Sequence, residues 1–190
     1  MTRAVSTIRY LFDEAIGLNK SNPISFMTGE KRFKEQWLLG RFSKLYNRER
    51  ENRRFDYATK LNESDFGQNT PDFEVFDEKQ SWVTDVEITE ALDQSRHRDD
   101  EYKSVTSKLV HIEEWEYIPT IQERIDDKCQ KRYPRKTWLI VYQNIYSSMH
   151  DYFPTNKLID IQIPQSCKFE KIFILDSDGN KYVRLYSGTS

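Results

Sequence analysis

Five consecutive apolar residues, Trp138-Leu139-Ile140-Val141-Tyr142, restrict the fold more than any other feature of this sequence. A short run of this kind, rich in β-branched and aromatic side chains, reads as a strand buried on both faces. Such a strand belongs inside a sheet covered by helices. The remaining sequence supplies both kinds of element. Val5, Ile8, Leu11, Phe12, Ala15 and Ile16 recur at helical spacing and Gly17 ends the run, which predicts a helix over 3–17. Ser21-Asn22-Pro23 is a connector. A second helix is expected over 30–48 and a strand over 55–61, followed by a loop of turn formers over 65–71.

Two strands, 72–76 and 82–91, flank the turn Asp77-Glu78-Lys79-Gln80 and read as a hairpin. Ser95 suits the cap of a following helix, with Asp99, Asp100 and Glu101 in its first turn and Tyr102, Val105, Leu109 and Ile112 as its buried stripe. Pro119 is expected to break or kink that helix, with a further helical stretch to about Arg132. Strands over 169–175 and 182–186 surround Asp176-Ser177-Asp178-Gly179 and predict a C-terminal β-hairpin. The fold class is therefore α/β, a mixed sheet flanked by helices.

The chain of 190 residues fits one domain, 1–190, with a core over about 30–146 and a C-terminal extension over 150–190. Its two cysteines, Cys129 and Cys167, have no CxxC spacing. A disulfide framework or a zinc cluster is not expected, and a reducing cytoplasm is the default compartment. No apolar run reaches membrane-spanning length, so no membrane partner is expected. The net charge of -2 argues against a general basic coat and leaves room for a local basic groove. A homodimer or a larger complex is compatible with the sequence and nothing in it selects one.

The chemistry is carried by acids. In the strand from Trp82, side chains alternate between faces, so Val86 and Ile88 point into a core while Asp85, Glu87 and Thr89 point the other way. The plain alternative is a strand with one solvated face. Asp72 follows Pro71 at the mouth of the preceding strand, and antiparallel pairing folds it back toward Glu87. On a helical wheel, Glu35 falls in the arc of Leu38, Leu39, Phe42, Leu45 and Tyr46. A carboxylate on that face costs several kcal/mol unless a cation, an arginine or an exposed helix edge relieves it. The alternative places Glu35 at the wet start of its helix. Mg²⁺, or Mn²⁺ in its place, needs only one or two carboxylates and keeps several waters. Asp72 and Glu87 suit direct ligation, the backbone carbonyl of Ile88 is within reach from the strand, and Glu35 suits an outer-shell or second-metal role.

Pro71-Asp72, the strand Glu87-Ile88-Thr89 and the helical Glu35 resemble the PD-(D/E)XK phosphodiesterase superfamily, the restriction-endonuclease-like fold of many restriction and repair nucleases. Its core order, αβββαβ, is matched over about half the chain, with the N-terminal helix and C-terminal hairpin as additions. The resemblance implies a Mg²⁺-dependent endonuclease that hydrolyses phosphodiester bonds, in DNA rather than RNA. It assigns catalytic roles to Glu35, Asp72 and Glu87. Thr89 stands where the family carries a lysine that orients water and offsets phosphate charge. Three substitutes are open: a base migrated to the following helix, where Arg96, Arg98 and Lys103 lie; a second metal; or a degenerate module that binds nucleic acid or a protein partner without cutting.

Basic residues interleaved with aromatics form the runs Lys31-Arg32-Phe33-Lys34 and Lys44-Leu45-Tyr46-Asn47-Arg48, and Lys131, Arg132, Arg135 and Lys136 form a third group. Arg96, Arg98, Lys44 and Arg48 are the candidate nucleic-acid contacts; the plain reading of each run is a solvated helix face. Any such binding would weaken with salt. His97, His111 and His150 lack metal-ligand spacing.

Overall fold

The computed structural model describes residues 31–49, 55–61, 69–91, 117–143, 158–176 and 179–188. Among these, a helix α1 (Lys31–Arg48) precedes three strands, β1 (Tyr57–Lys60), β2 (Phe73–Phe76) and β3 (Trp82–Ala91). Helix α2 (Tyr117–Cys129), strand β4 (Thr137–Gln143), a 3-10 turn (Leu158–Asp160) and strands β5 (Lys171–Leu175) and β6 (Tyr182–Ser187) follow. The six strands form one mixed sheet in sequence order. β3, β4 and β5 run parallel in its centre, and β1, β2 and β6 pair antiparallel at its margins.

The centre of the sheet is the apolar run from which the fold was read. Every residue of β4 is buried. Alternate side chains divide between two cores, as the strand period requires. Trp138, Ile140 and Tyr142 join Val86, Ile88, Phe73 and Phe173 under α1, whose Leu38, Leu39, Phe42 and Tyr46 close that layer. Leu139 and Val141 join Ile172, Ile174 and Phe169 under α2. On α2, Ile121, Ile125 and Cys129 recur every four residues and make the buried stripe. Phe42 lies at the middle of an aromatic cluster, with ring centroids 4.8 Å from Phe173 and 5.7 Å from Tyr46.

Two expectations, the end of α2 and the state of the cysteines, are corrected. Pro119, expected to break or kink the helix after Ser95, is the third residue of α2, in a first turn whose N–H groups have no intrahelical acceptor, so the missing N–H of proline costs nothing there; the preceding helix lies outside the described residues. α2 ends at Cys129, short of Arg132. Cys129 and Cys167, expected to be unlinked, are joined as a disulfide across 38 positions. No spacing motif marks the pair, because the packing of α2 against the segment before β5 sets the pairing. The expected helix over 3–17 and the helix after Ser95 lie outside the described residues.

No helix of the described residues is long and apolar enough to cross a membrane.

Candidate functional site

The hairpin register decides where the acids go. β2 and β3 pair with Phe73 opposite Val86 and Glu74 opposite Asp85. Continued by one step, that register sets Asp72 against Glu87. Asp72 has already left the strand, and its side chain takes over from the backbone ladder: Oδ2 accepts the Ile88 N–H at 2.8 Å. Its own carbonyl accepts the Leu61 N–H at 3.0 Å, which extends the β1–β2 ladder. Asp72 is thus fixed from both neighbouring strands.

Glu35 is buried, 6% exposed, on the inner side of α1. Its charge is met by Lys60 at the end of β1, whose Nζ donates to Glu35 Oε2 at 2.6 Å and to Asp72 Oδ1 at 3.1 Å. The same ammonium lies 4.6 Å from the Phe73 ring centroid. Burial pulls the Lys60 pKa down, but the Asp72 charge and the hydrogen bond and charge of Glu35 more than reverse this, and the net direction is up. Lys60 therefore stays protonated as a fixed cation between two carboxylates.

Glu87 is 5% exposed on the opposite face of the sheet. Burial raises its pKa, and the Asp72 charge raises it further; the Lys128 ammonium, in contact with Glu87 Oε1, and Lys131 act against that rise. Lys128 comes from the last turn of α2. Tyr133, four residues beyond that helix, packs its ring 5.2 Å from Phe169. Its hydroxyl is buried without a well-formed hydrogen bond. Burial raises the phenol's pKa, and the nearby charges of Glu87 and Asp72 add to the rise, so it remains an O–H.

Three acids from α1, the start of β2 and the middle of β3 are thus linked through Lys60 and the hairpin register, with Lys128 and Tyr133 closing the far side. Thr89 is partly exposed and shares the face of Glu87 by strand alternation. Ile88 contributes its N–H to Asp72. Lys103, Arg96 and Arg98 lie outside the described residues. Lys44 and Arg48 are exposed on α1, roughly 14 and 20 Å along its axis from Glu35. Lys34, part of the first basic run, is turned inward and pairs with Glu90 of β3.

Asp85 belongs to a different cluster. It is fully buried, and Arg135 grips it with Nε and Nη2, each at 2.9 Å. Arg135 Nη2 also reaches Glu74 at 2.6 Å, and Trp82 Nε1 donates to Asp85 at 2.9 Å. This is an ion-pair clip that fastens the segment after α2 to the β2–β3 hairpin.

Sequence reasoning missed Lys60 and Lys128, and both left a signal. Lys60 shares the inward face of β1 with buried Ala58. Lys128 stands seven residues after Ile121 and three after Ile125, on the buried stripe of α2. A lysine on an apolar face implies a buried acid for it to meet.

Among the described residues no group of three or more acidic, histidine or cysteine side chains stands ready as a metal cage. Asp72 and Glu87 are a donor pair of the kind a hard cation uses with water. The upward push of one carboxylate on the other is the charge excess such an ion would relieve. No family model, no curated protein and no solved structure matches this chain.

Proposed function

We propose that this chain is a divalent-metal-dependent phosphodiesterase of restriction-endonuclease-like arrangement, acting on DNA in the cytoplasm. The observation that carries the reading is that Asp72, held on the Ile88 N–H beside Glu87, is near enough for its charge to add to the upward push of burial on the Glu87 pKa. Asp72, Glu87 and the Ile88 carbonyl would hold Mg²⁺ or Mn²⁺. When bound, such an ion supplies a water of lowered pKa and charge to offset the phosphate.

The chain's own groups do the rest. Lys128 reaches the carboxylate of Glu87 from α2 and provides the positive charge that Thr89 does not. With substrate present it orients the attacking water and a phosphate oxygen, the role expected of a lysine at position 89. Lys60 holds Glu35 and Asp72 at fixed separation and prevents their mutual repulsion. Tyr133 keeps its proton, and its hydroxyl is free to donate to a substrate oxygen once substrate is bound. Lys131, Arg132 and Lys136 are exposed beside it and suit backbone phosphates.

Plasmid nicking with Mg²⁺ or Mn²⁺ is the test. Asp72→Ala and Glu87→Ala should each abolish cleavage, and Lys128→Met should lower kcat by roughly 10²-fold or more. Unchanged cleavage by either acid variant sinks the site.

A second reading has its own support. Lys60 and Lys128 already neutralise the acids, so the same corner suits a module that binds nucleic acid without cutting. Salt-sensitive DNA binding, no cleavage and no calorimetric heat with Mn²⁺ would select it.

A further inference from the structure

Cys129 is the last residue of α2, and Cys167 lies between the 3-10 turn and β5. Their Cα atoms are 4.4 Å apart, within disulfide range. Both belong to the apolar core under α2, with Ile121, Ile125 and Phe169 as neighbours. The residue before Cys129 is Lys128, whose ammonium meets Glu87. Tyr133, on the other side, packs on Phe169 two residues after Cys167. One covalent link therefore fastens the end of α2, and with it two groups of the candidate site, to the segment leading into β5.

We propose that Cys129 and Cys167 form a thiol–disulfide switch that sets how firmly the Lys128-bearing end of α2 is held against Glu87. The importance of that helix end for catalysis rests on the phosphodiesterase reading; the switch itself does not. Oxidation uses a small-molecule disulfide such as oxidised glutathione. Cys167, 9% exposed, is more accessible than Cys129, 2% exposed. The Cys167 thiolate attacks the small disulfide, forms a mixed disulfide and releases one thiol. The Cys129 thiolate then attacks the Cys167 sulfur and releases the second. Two electrons pass from the cysteine sulfurs to the small disulfide, and the two cysteine protons end on the two released thiols. An excess of small dithiol reverses both exchanges. In a reducing compartment the pair rests as dithiol and the helix end is loose; under oxidation it is locked.

The test uses the full chain, equilibrated with oxidised glutathione or with dithiothreitol, then alkylated in denaturant and weighed intact. The oxidised protein should take up no alkyl groups and the reduced protein two. Hydrogen exchange in the native state should be faster in the reduced form by roughly tenfold or more over residues 126–133, and unchanged over 138–142 in β4. The oxidised form should also melt several degrees higher. A Cys129→Ser, Cys167→Ser double variant should match the reduced protein and ignore the redox buffer. Two alkyl groups after glutathione oxidation, or equal exchange over 126–133 in both states, overturns the proposal. Absence of DNA cleavage in both states, with the exchange difference present, refutes the phosphodiesterase reading and leaves the switch supported.

Discussion

At the residue scale, buried charge explains most of what the acids do. Asp85 is sealed from water, and an unpaired carboxylate there would cost several kcal/mol. Arg135 and Trp82 meet both of its oxygens. Arg135→Ala removes the cation that Asp85 and Glu74 share; with a third of the Arg135 side chain exposed, the loss in urea unfolding should be about 2–4 kcal/mol. Glu87 gives a pH signature. Its pKa in the folded state lies above the ordinary 4.5, so the folded chain holds its proton longer than the unfolded one. Its contribution is fully present below pH 4.5 and is lost as pH rises through the folded pKa. Stability of the chelator-treated protein minus that of Glu87→Gln should therefore fall as pH rises from 4.5, and a flat difference would contradict the assignment. Glu35 was legible because five apolar residues defined the arc around it. Its partner Lys60 was not, because the pair joins a helix to a strand and no local pattern encodes that meeting.

At the element scale, β3 and β4 show how period and burial interact. β4 is apolar on both faces, so its type and place followed from composition alone. β3 is apolar on one face and acidic on the other, which a single strand cannot distinguish from a solvated face. Both faces are in fact buried, and α2 covers the acidic one. Lys128 on that helix meets Glu87, and Arg135 in the segment after it meets Asp85, which is why the acids tolerate it. Ile125, fully buried on α2, anchors the helix to the sheet. Ile125→Ala should cost about 2–5 kcal/mol by urea unfolding, whereas an exposed α1 position such as Lys44→Ala should change little. A loss below about 1 kcal/mol for Ile125→Ala would mean that α2 packs less tightly than described.

At the scale of the molecule, a chain of net charge -2 can hold a polyanion only through local fields. Lys131, Arg132 and Lys136 cluster in the exposed turn between α2 and β4. If DNA lies there, removing Lys131 and Arg132 together should reduce the slope of log affinity against log salt by about 2. An unchanged slope would move the binding face elsewhere.

Among the described residues, the sequence by itself determined the element types, the parity of β3 and the layered α/β class, because each rests on periodicity over a few residues. Tertiary structure decided which base meets which acid, that Asp85 is a clip while Glu87 lies with the candidate site, and that Cys129 faces Cys167. Those pairings join positions 12 to 61 residues apart. Such distant groups meet only through the order of the strands and the register between them, and a local pattern carries neither.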